Sequence, residues 1–519
     1  MKRITIIISA FLIFGLQSCT DFLDIRPENE TVLEDYWQSE SQATAVLSSC
    51  YRGLTTDACI ERMIVWGELR SDNVIEGNST RDEIRKILEV NITPTNGYAN
   101  WGSFYSVINY CNTFLHYAPN VLKTDQNFTP TKLHSLEAEA LGLRAMCYFY
   151  LVRAFKEVPL ILNPSINDTQ DYYVPKSSER AILDQIIADL LEAQKYARTD
   201  FGKGSYNKGR ITLNAINALL ADVYLWDQQY SNCVETCNRI LDDKTLSLVS
   251  GDKTLTDVFY TGNSTESIFE LQFDKDIQYN NTVNSFYGYE GRRDVGGELY
   301  YPKFLTRTGE FSPFNYAASS VKESEKDIRE TSSYSPTTTG NGYNIYKYAL
   351  IQNVENADGL TYTPKYRSAA TTVNWIIYRL SDVMLMKAEA LVQMNGDENL
   401  RAAMRMVNKT YLRSNTTVDS LQFNNYSDQG NMEKLVLRER QRELLFEGKR
   451  WFDLMRLVRR KNDPSAILAY ISPKLSGDAM SKNKLSVMDA LYMPILKSEL
   501  ETNINLTQNP FYTDENLSN

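Results

Sequence analysis

Apolar residues recur at helical spacing over most of this chain, and the recurrence stops in two places. The periodic segments 41–54, 60–72, 101–116, 133–155 and 180–197 read as amphipathic helices, and a further helix is expected to begin near Leu33. In 133–155, Ala138, Leu141, Ala145, Phe149 and Val152 keep one side apolar, and the pattern stops before Pro159, as proline demands. Ser177 or Ser178, followed by Glu179, is suited to cap the helix after it. Two later segments read as helix–turn–helix units: 215–226 with 230–241, and 376–394 with 400–411 around Gly396 and Asp397. Small residues recur at one offset in both, Ala221 to Cys233 and Ala390 to Ala402, as in tetratricopeptide repeats, where small residues let antiparallel helices approach. Periodicity is lost over about 246–375, which is rich in Asn, Gly, Ser, Thr and Tyr, and again after Pro473. The expected fold is therefore mainly α. A tetratricopeptide-like helical-repeat superhelix covers about 33–245 and 376–460, a long loop-rich insertion covers about 246–375, and an irregular tail covers 473–519. A loop-rich insertion of this length in a compact fold is usually functional.

The stretch 437–456 stands apart. Placed on one helix, Leu437, Leu444, Leu445, Gly448, Trp451, Phe452, Met455 and Val458 share a face, while Phe446 and Leu457 lie opposite beside Arg442, Arg450 and Asp453. Such a helix is wedged between neighbours rather than laid on a surface. Glu439, Glu443 and Glu447 stand four apart, a spacing at which like charges repel, so something must offset them, and Arg440, Arg450 and other segments are the available partners. Gly448 at mid-helix costs about 1 kcal/mol relative to alanine, which points to another backbone packed close to it. We read this charge pattern as a buried ion-pair network, part of the architecture rather than a catalytic centre.

Composition narrows the function. The net charge of −10 argues against nucleic acid, whose phosphates select basic surfaces. Only two histidines stand against 33 tyrosines, so histidine chemistry is poorly supplied while rigid amphipathic contact surface is abundant. Lys2 and Arg3 precede an apolar run, Ile4 to Leu16, too short to span a bilayer. It ends at Leu16-Gln17-Ser18-Cys19, which resembles a bacterial lipobox, so 1–18 is expected to be a lipoprotein signal peptide and Cys19 the lipidated residue, with palmitate among its acyl chains. Several acyl chains anchor stably where one is marginal. Of the six other cysteines, Cys50 and Cys59 are near enough in sequence to bridge, but buried free thiols fit equally well, and no zinc ligand set is present.

No G-x-S-x-G, H-E-x-x-H, Walker A, G-x-G-x-x-G or EF-hand pattern appears, and no cofactor is called for. A different signature does appear. The run Arg438-x-Arg440-x-x-Glu443-Leu-x-x-Glu447-Gly448-x-Arg450-Trp-x-Asp453-Leu-x-Arg456 resembles the C-terminal hallmark of the SusD/RagB family. Phe22-Leu-Asp24 with Pro27 after the lipobox, and Tyr492-Met-Pro494-Ile495 with Gln508-Asn509-Pro510-Phe-Tyr512 in the tail, resemble the same family, so the likeness spans nearly the whole mature chain, 19–519, as a single domain. One departure is Lys156-Glu157, where the family usually has Tyr-Gly before Val-Pro-Leu. The resemblance implies a non-catalytic, outward-facing outer-membrane lipoprotein that captures oligosaccharide and delivers it to a SusC-like TonB-dependent transporter.

Sugars offer apolar C–H faces and rims of hydroxyls, so a site needs aromatic planes together with Asn, Asp or Arg forks. Two stretches offer that mixture: Asp72-Asn73 through Trp101, with Arg81, Asn96 and Tyr98, and 278–301, with Tyr279, Asn280, Tyr287, Tyr289, Arg292, Arg293, Tyr300 and Tyr301. From these, Asn73, Arg81, Tyr98, Tyr287, Tyr289, Arg292 and Tyr300 are the candidate ligand contacts, while Trp101 and Trp375 are expected in the core. Two other readings stay open at this point: a peptide-binding member of the same family, and an envelope-assembly scaffold using its repeats alone.

Overall fold

The computed structural model of the chain describes residues 36–166, 172–276, 278–289, 296–306, 311–314, 327–355, 357, 362–368 and 371–513. The expected leader, Cys19, the helix start near Leu33, Arg292 and Arg293 lie outside these residues. The principal helices are α1 (Glu40–Leu54), α2 (Asp57–Ile64), α3 (Gly102–Tyr117), α4 (Pro130–Phe155), α5 (Glu179–Tyr196), α6 (Leu213–Trp226), α7 (Tyr230–Leu241), α8 (Leu380–Met394), α9 (Asp397–Ser414), α10 (Gln429–Leu444) and α11 (Arg450–Lys461).

Local chemistry sets their ends. Ser39, Thr129, Ser178 and Thr212 each accept a backbone N–H of the first turn of α1, α4, α5 and α6, and Pro130 opens α4 where its missing N–H is harmless. The helices then pack in succession: α1 on α3, α3 on α4, α4 on α5, α5 on α6, α6 on α7, and α8 on α9, with α10 across α8 and α9. The two predicted repeats are direct neighbours, α7 against α8, so the intervening insertion loops out of a continuous helical-repeat superhelix. Ala221, Cys233 and Ala390 are fully buried in these contacts, and Ala402 is partly buried.

Three helical expectations need correction. Residues 60–72 are not one helix: α2 stops at Ile64 and a wholly buried π-helical turn, Val65–Leu69, follows. The second repeat does not begin at Ile376. Trp375–Arg379, rich in aromatic and β-branched residues, is a fully buried strand, and α8 starts only at Leu380. Nor is 437–456 one helix. The chain breaks between α10 and α11, where Phe446 and Gly448 take left-handed φ values of +64° and +69°.

The insertion is organised as antiparallel sheet. Strands β1 (Ile75–Glu76), β3 (Leu299–Pro302), β5 (Gly342–Ile345) and β4 (Tyr334–Thr339) form one sheet in the order β1-β3-β5-β4, with Ile75 opposite Tyr300 and Tyr300 opposite Asn344. Strand β2 (Ser267–Leu271) pairs with β8 (Trp375–Arg379), tying the two ends of the insertion together, and β6 (Leu350–Glu355) pairs with β7 (Tyr362–Tyr366). The tail carries short helices, Ala479–Leu485 and Lys497–Thr502, joined by turns. Cys50, Cys59, Cys111, Cys147, Cys233 and Cys237 are all buried free thiols, so the Cys50–Cys59 bridge does not form.

Candidate functional site

The glutamates of the 437–456 stretch are the centre of a charged interior. Arg329 donates to Glu439 at 2.7 Å and to Glu443 at 3.0 Å, and pairs with Asp327 at 2.6 Å. Arg379 reaches Glu266 at 2.7 Å and Glu447 at 2.8 Å, and also binds Glu443. Lys347 donates to Glu447 at 2.6 Å, Arg413 to Glu266 at 2.8 Å and to Glu443, and Arg442 pairs with Glu439 at 3.1 Å. Five cations (Arg329, Lys347, Arg379, Arg413, Arg442) thus meet five carboxylates (Glu266, Asp327, Glu439, Glu443, Glu447) in one network. Burial opposes ionisation of Glu443, yet the Arg413, Arg379 and Arg329 guanidiniums hold its carboxyl well below the usual range. Every partner from another element comes from the insertion, β8 or α9. The expected offset by Arg440 and Arg450 is not what happens: Arg440 pairs with Asp382 and Asp453, and Arg450 with Asp72. The break lies between Glu447 and Arg450, so the three-residue helical spacing that would pair them is lost.

The close approach expected at Gly448 is present, for a different reason. Gly448 sits in a left-handed turn, and its carbonyl lies 1.8 Å from where a Cβ on Gly67 would be. The π-helical turn thereby brings Glu68 under the break, where it accepts from Gly448 N at 3.0 Å and from Asn73 Nδ2 at 2.7 Å. Burial pushes the Glu68 carboxyl up to about 7. Nearby, Arg70 lies over the Trp451 ring at 4.3 Å, fully buried, and burial lowers it to about 10.

The sequence-predicted contacts fall in three places. Arg81 and Tyr98 come together around Glu61: Arg81 Nη2 donates to Glu61 Oε1 at 3.1 Å and Tyr98 Oη to Glu61 Oε2 at 3.0 Å, with Glu298 on the other side of Arg81 at 2.9 Å. The Arg81 side chain is 46% exposed. Tyr289 is partly exposed beside residues that are not described. Asn73, Tyr98, Tyr287 and Tyr300 are buried, so none of these four presents its side chain to a ligand as expected. Asn73 braces Glu68, Tyr287 donates to the Phe446 carbonyl at 2.9 Å and stacks on Tyr348, and Tyr300 lies within the four-stranded sheet. Among the supporting residues, Asn96 caps the turn at 97–99, Asn280 caps the short helix 281–287, Tyr301 stacks on Tyr334, and Trp101 and Trp375 are core. Tyr279 is 38% exposed.

Behind Asn73, an open cleft of about 270 Å³ is lined by Asp72, Phe311, Ser312, Pro313, Lys434, Arg438, Gln441, Arg450, Ala469 and Tyr470. Its floor is rigid. Arg450 grips Asp72 with two hydrogen bonds of 2.8 and 2.9 Å, and Gln441 Nε2 donates to Asp72 at 3.0 Å and to Asn73 Oδ1 at 2.8 Å. One wall is α10, where Lys434, Arg438 and Gln441 share a face at helical spacing. Tyr470, over which the Arg450 guanidinium sits at 5.3 Å, and Phe311, 47% exposed, supply aromatic surface. Asp72 was legible as part of a polar, aromatic-bearing stretch. Lys434, Gln441, Phe311 and Tyr470 were missed, though the spacing of 434, 438 and 441 on one helix could have shown that wall. Among the described residues no group of His, Cys, Asp and Glu is placed to hold a metal, and no helix is long and apolar enough to cross a membrane.

Two family models together match residues 21–512. The family model described as "Starch-binding associating with outer membrane" matches residues 21–225. SusD-like protein P38 of Formosa agariphila is 24% identical over 492 residues, covering 88% of this chain and 91% of that protein. SusD-like protein P25 of the same organism is 25% identical over 497 residues, covering 88% and 90%. Among solved structures, a SusD superfamily protein from Bacteroides vulgatus superposes with a TM-score of 0.71 at 22% identity, covering 92% of this chain and 99% of that one. The structure titled "B. fragilis NanU" gives a TM-score of 0.66 at 20% identity, covering 94% and 100%. The model described as "SusD family" matches residues 215–512, more than half of the sequence, and the chain belongs to that family.

Proposed function

We propose that this chain is a cell-surface lipoprotein, anchored in the outer membrane through an acylated Cys19, that captures oligosaccharide and hands it to a SusC-like TonB-dependent transporter without performing bond chemistry. In this reading 1–18 is a leader and 19–519 folds as one unit, with the repeat helices as rigid frame and the insertion closing over α10 to complete the ligand surface with Phe311. The observation that carries it is the cleft of about 270 Å³, where the rings of Tyr470 and Phe311 stand beside the forks of Arg438 and Gln441 in a SusD-family scaffold. Stacking planes next to hydrogen-bonding forks are what a sugar ring needs. The outer-membrane association named in the description of the second matching family model supports the proposed location. Arg81, Tyr289 and Arg292 would extend the ligand surface, while Asn73, Tyr98, Tyr287 and Tyr300 would support it from within.

Calorimetric titration of the mature chain against a panel of oligosaccharides tests this. Binding is expected, with the ligand recovered unchanged, and Tyr470→Ala should weaken it by about tenfold or more, the loss typical of a central aromatic contact. A clean absence of binding to every glycan would favour a peptide cargo. Co-purification with a β-barrel transporter is expected, and recovery with assembly factors alone would favour a scaffold.

A further inference from the structure

The charge of the cleft is uneven in a way that bears on its ligand. Helix α10 carries Arg438, Arg440 and Arg442 within five residues. Arg440 and Arg442 face inward, and each is matched to carboxylates at 2.9 to 3.1 Å. Arg438 and Lys434, one turn apart on the outer face, line the cleft, and among the described residues neither side chain forms a hydrogen bond or an ion pair. The cleft's own carboxylate cannot serve them, because both oxygens of Asp72 are taken by Arg450 and one also by Gln441. Arg450 and Asp72 cancel, so among the described residues that line the cleft Lys434 and Arg438 are an excess of positive charge, on a chain whose net charge is −10. Two like charges held one helical turn apart repel each other. An anion placed between them relieves that repulsion and forms charge-assisted hydrogen bonds, and an arginine fork matches a carboxylate or sulfate in both shape and charge.

We propose that the cleft selects an anionic oligosaccharide, carboxylated or sulfated, whose acidic group docks between Arg438 and Lys434 while a sugar face stacks on Tyr470 or Phe311. This rests on the glycan reading given above and adds the chemical class of the glycan.

The test is calorimetric titration of the mature chain with matched pairs of oligosaccharides: oligogalacturonates against their methyl esters, and sulfated galactan oligomers against the desulfated forms. At least one acidic member should bind about tenfold or more tightly than its neutral counterpart, as expected for hydrogen bonds to a charged group. That preference should shrink as salt rises from about 0.05 to 0.5 M, because the cleft is open and its charges are screened. The double variant Lys434→Gln/Arg438→Gln should weaken the acidic member far more than the neutral one and so remove most of the preference, and Arg438→Lys should keep part of it. Preference within the uronate pair alone assigns the acidic group as carboxylate, and within the galactan pair alone as sulfate. Equal binding of acidic and neutral members would overturn the inference and leave glycan capture standing, as would an acid preference unchanged in the double variant. If no oligosaccharide of either kind binds, glycan capture fails and this inference falls with it.

Discussion

Arg379 is 1% exposed and serves Glu266, Glu443 and Glu447 at once, so its removal leaves a buried network of five carboxylates one cation short. Arg379→Met keeps the apolar stem and should lower the unfolding free energy by about 3–5 kcal/mol, the cost of an uncompensated buried charge; urea denaturation read by circular dichroism measures it. The buried acids also set opposite pH limits. Burial opposes ionisation of Asp382, yet Lys449 and Arg440 bring it down to about 2. Its folded value lies below the ordinary carboxylate value of about 4, so its contribution to stability is complete above about pH 4 and is lost as the pH falls towards 2. Glu68 is the reverse case. Its folded value of about 7 lies above the unfolded one, so its contribution is complete below about pH 4 and is lost as the pH rises through 7. Glu68→Gln should therefore flatten the decline in unfolding free energy between about pH 5 and 7, while Asp382→Asn should flatten the acid limb below about pH 4. Unchanged slopes in denaturation series across those ranges would count against these assignments.

At the scale of elements, the joint between α10 and α11 depends on two glycines in backbone contact. Gly67 allows the π-helical turn to approach, and Gly448 takes the left-handed turn that ends α10. A Cβ at Gly67 would stand 1.8 Å from the Gly448 carbonyl, against which nothing flexible can yield. At Gly448 the Met63 carbonyl is 3.0 Å away and the backbone strain is a single-residue cost of about 1–2 kcal/mol. Gly67→Ala is accordingly expected to be the more damaging change, and chemical denaturation of the two variants side by side checks the order. The periodic pattern showed that a glycine here implied close packing, because mid-helix glycine is costly in any context. It could not show the break, since Leu445, Trp451 and Phe452 keep a helical rhythm across a joint whose geometry is imposed by another element.

At the scale of the whole molecule, the ion network couples insertion and superhelix. Arg329 and Lys347 come from the insertion and Glu439, Glu443 and Glu447 from the α10 end of the scaffold, so neither part can shelter its charges alone. Replacing 254–366 with a short Gly-Ser linker should therefore leave a scaffold that fails to fold, rather than a stable trimmed repeat protein. Limited proteolysis and circular dichroism would show this, and a resistant, helical product would refute the coupling. The cleft belongs to this scale as well. Its lining comes from residues 72, 311–313, 434–450 and 469–470, four stretches far apart in the chain.

Local pattern alone was enough for most of the helices, though not for the bounds of 60–72, 376–394 or 437–456, and for the repeat-like pairing of α6 with α7 and α8 with α9, the loop-rich character of the insertion, the family signature and the reading of the glutamate-rich stretch as architecture. These depend on periodicity, small-residue spacing and local capping, all carried by near neighbours in the chain. It took the folded molecule to show that β8 is a strand, that 437–456 is broken, which cations neutralise Glu439, Glu443 and Glu447, and that Asn73 and Tyr287 face inward while Arg438 lines a cleft. The physical reason is that strand pairing, charge neutralisation and burial are properties of partners brought together from distant segments, and a residue's type does not say which of its neighbours in space will be water.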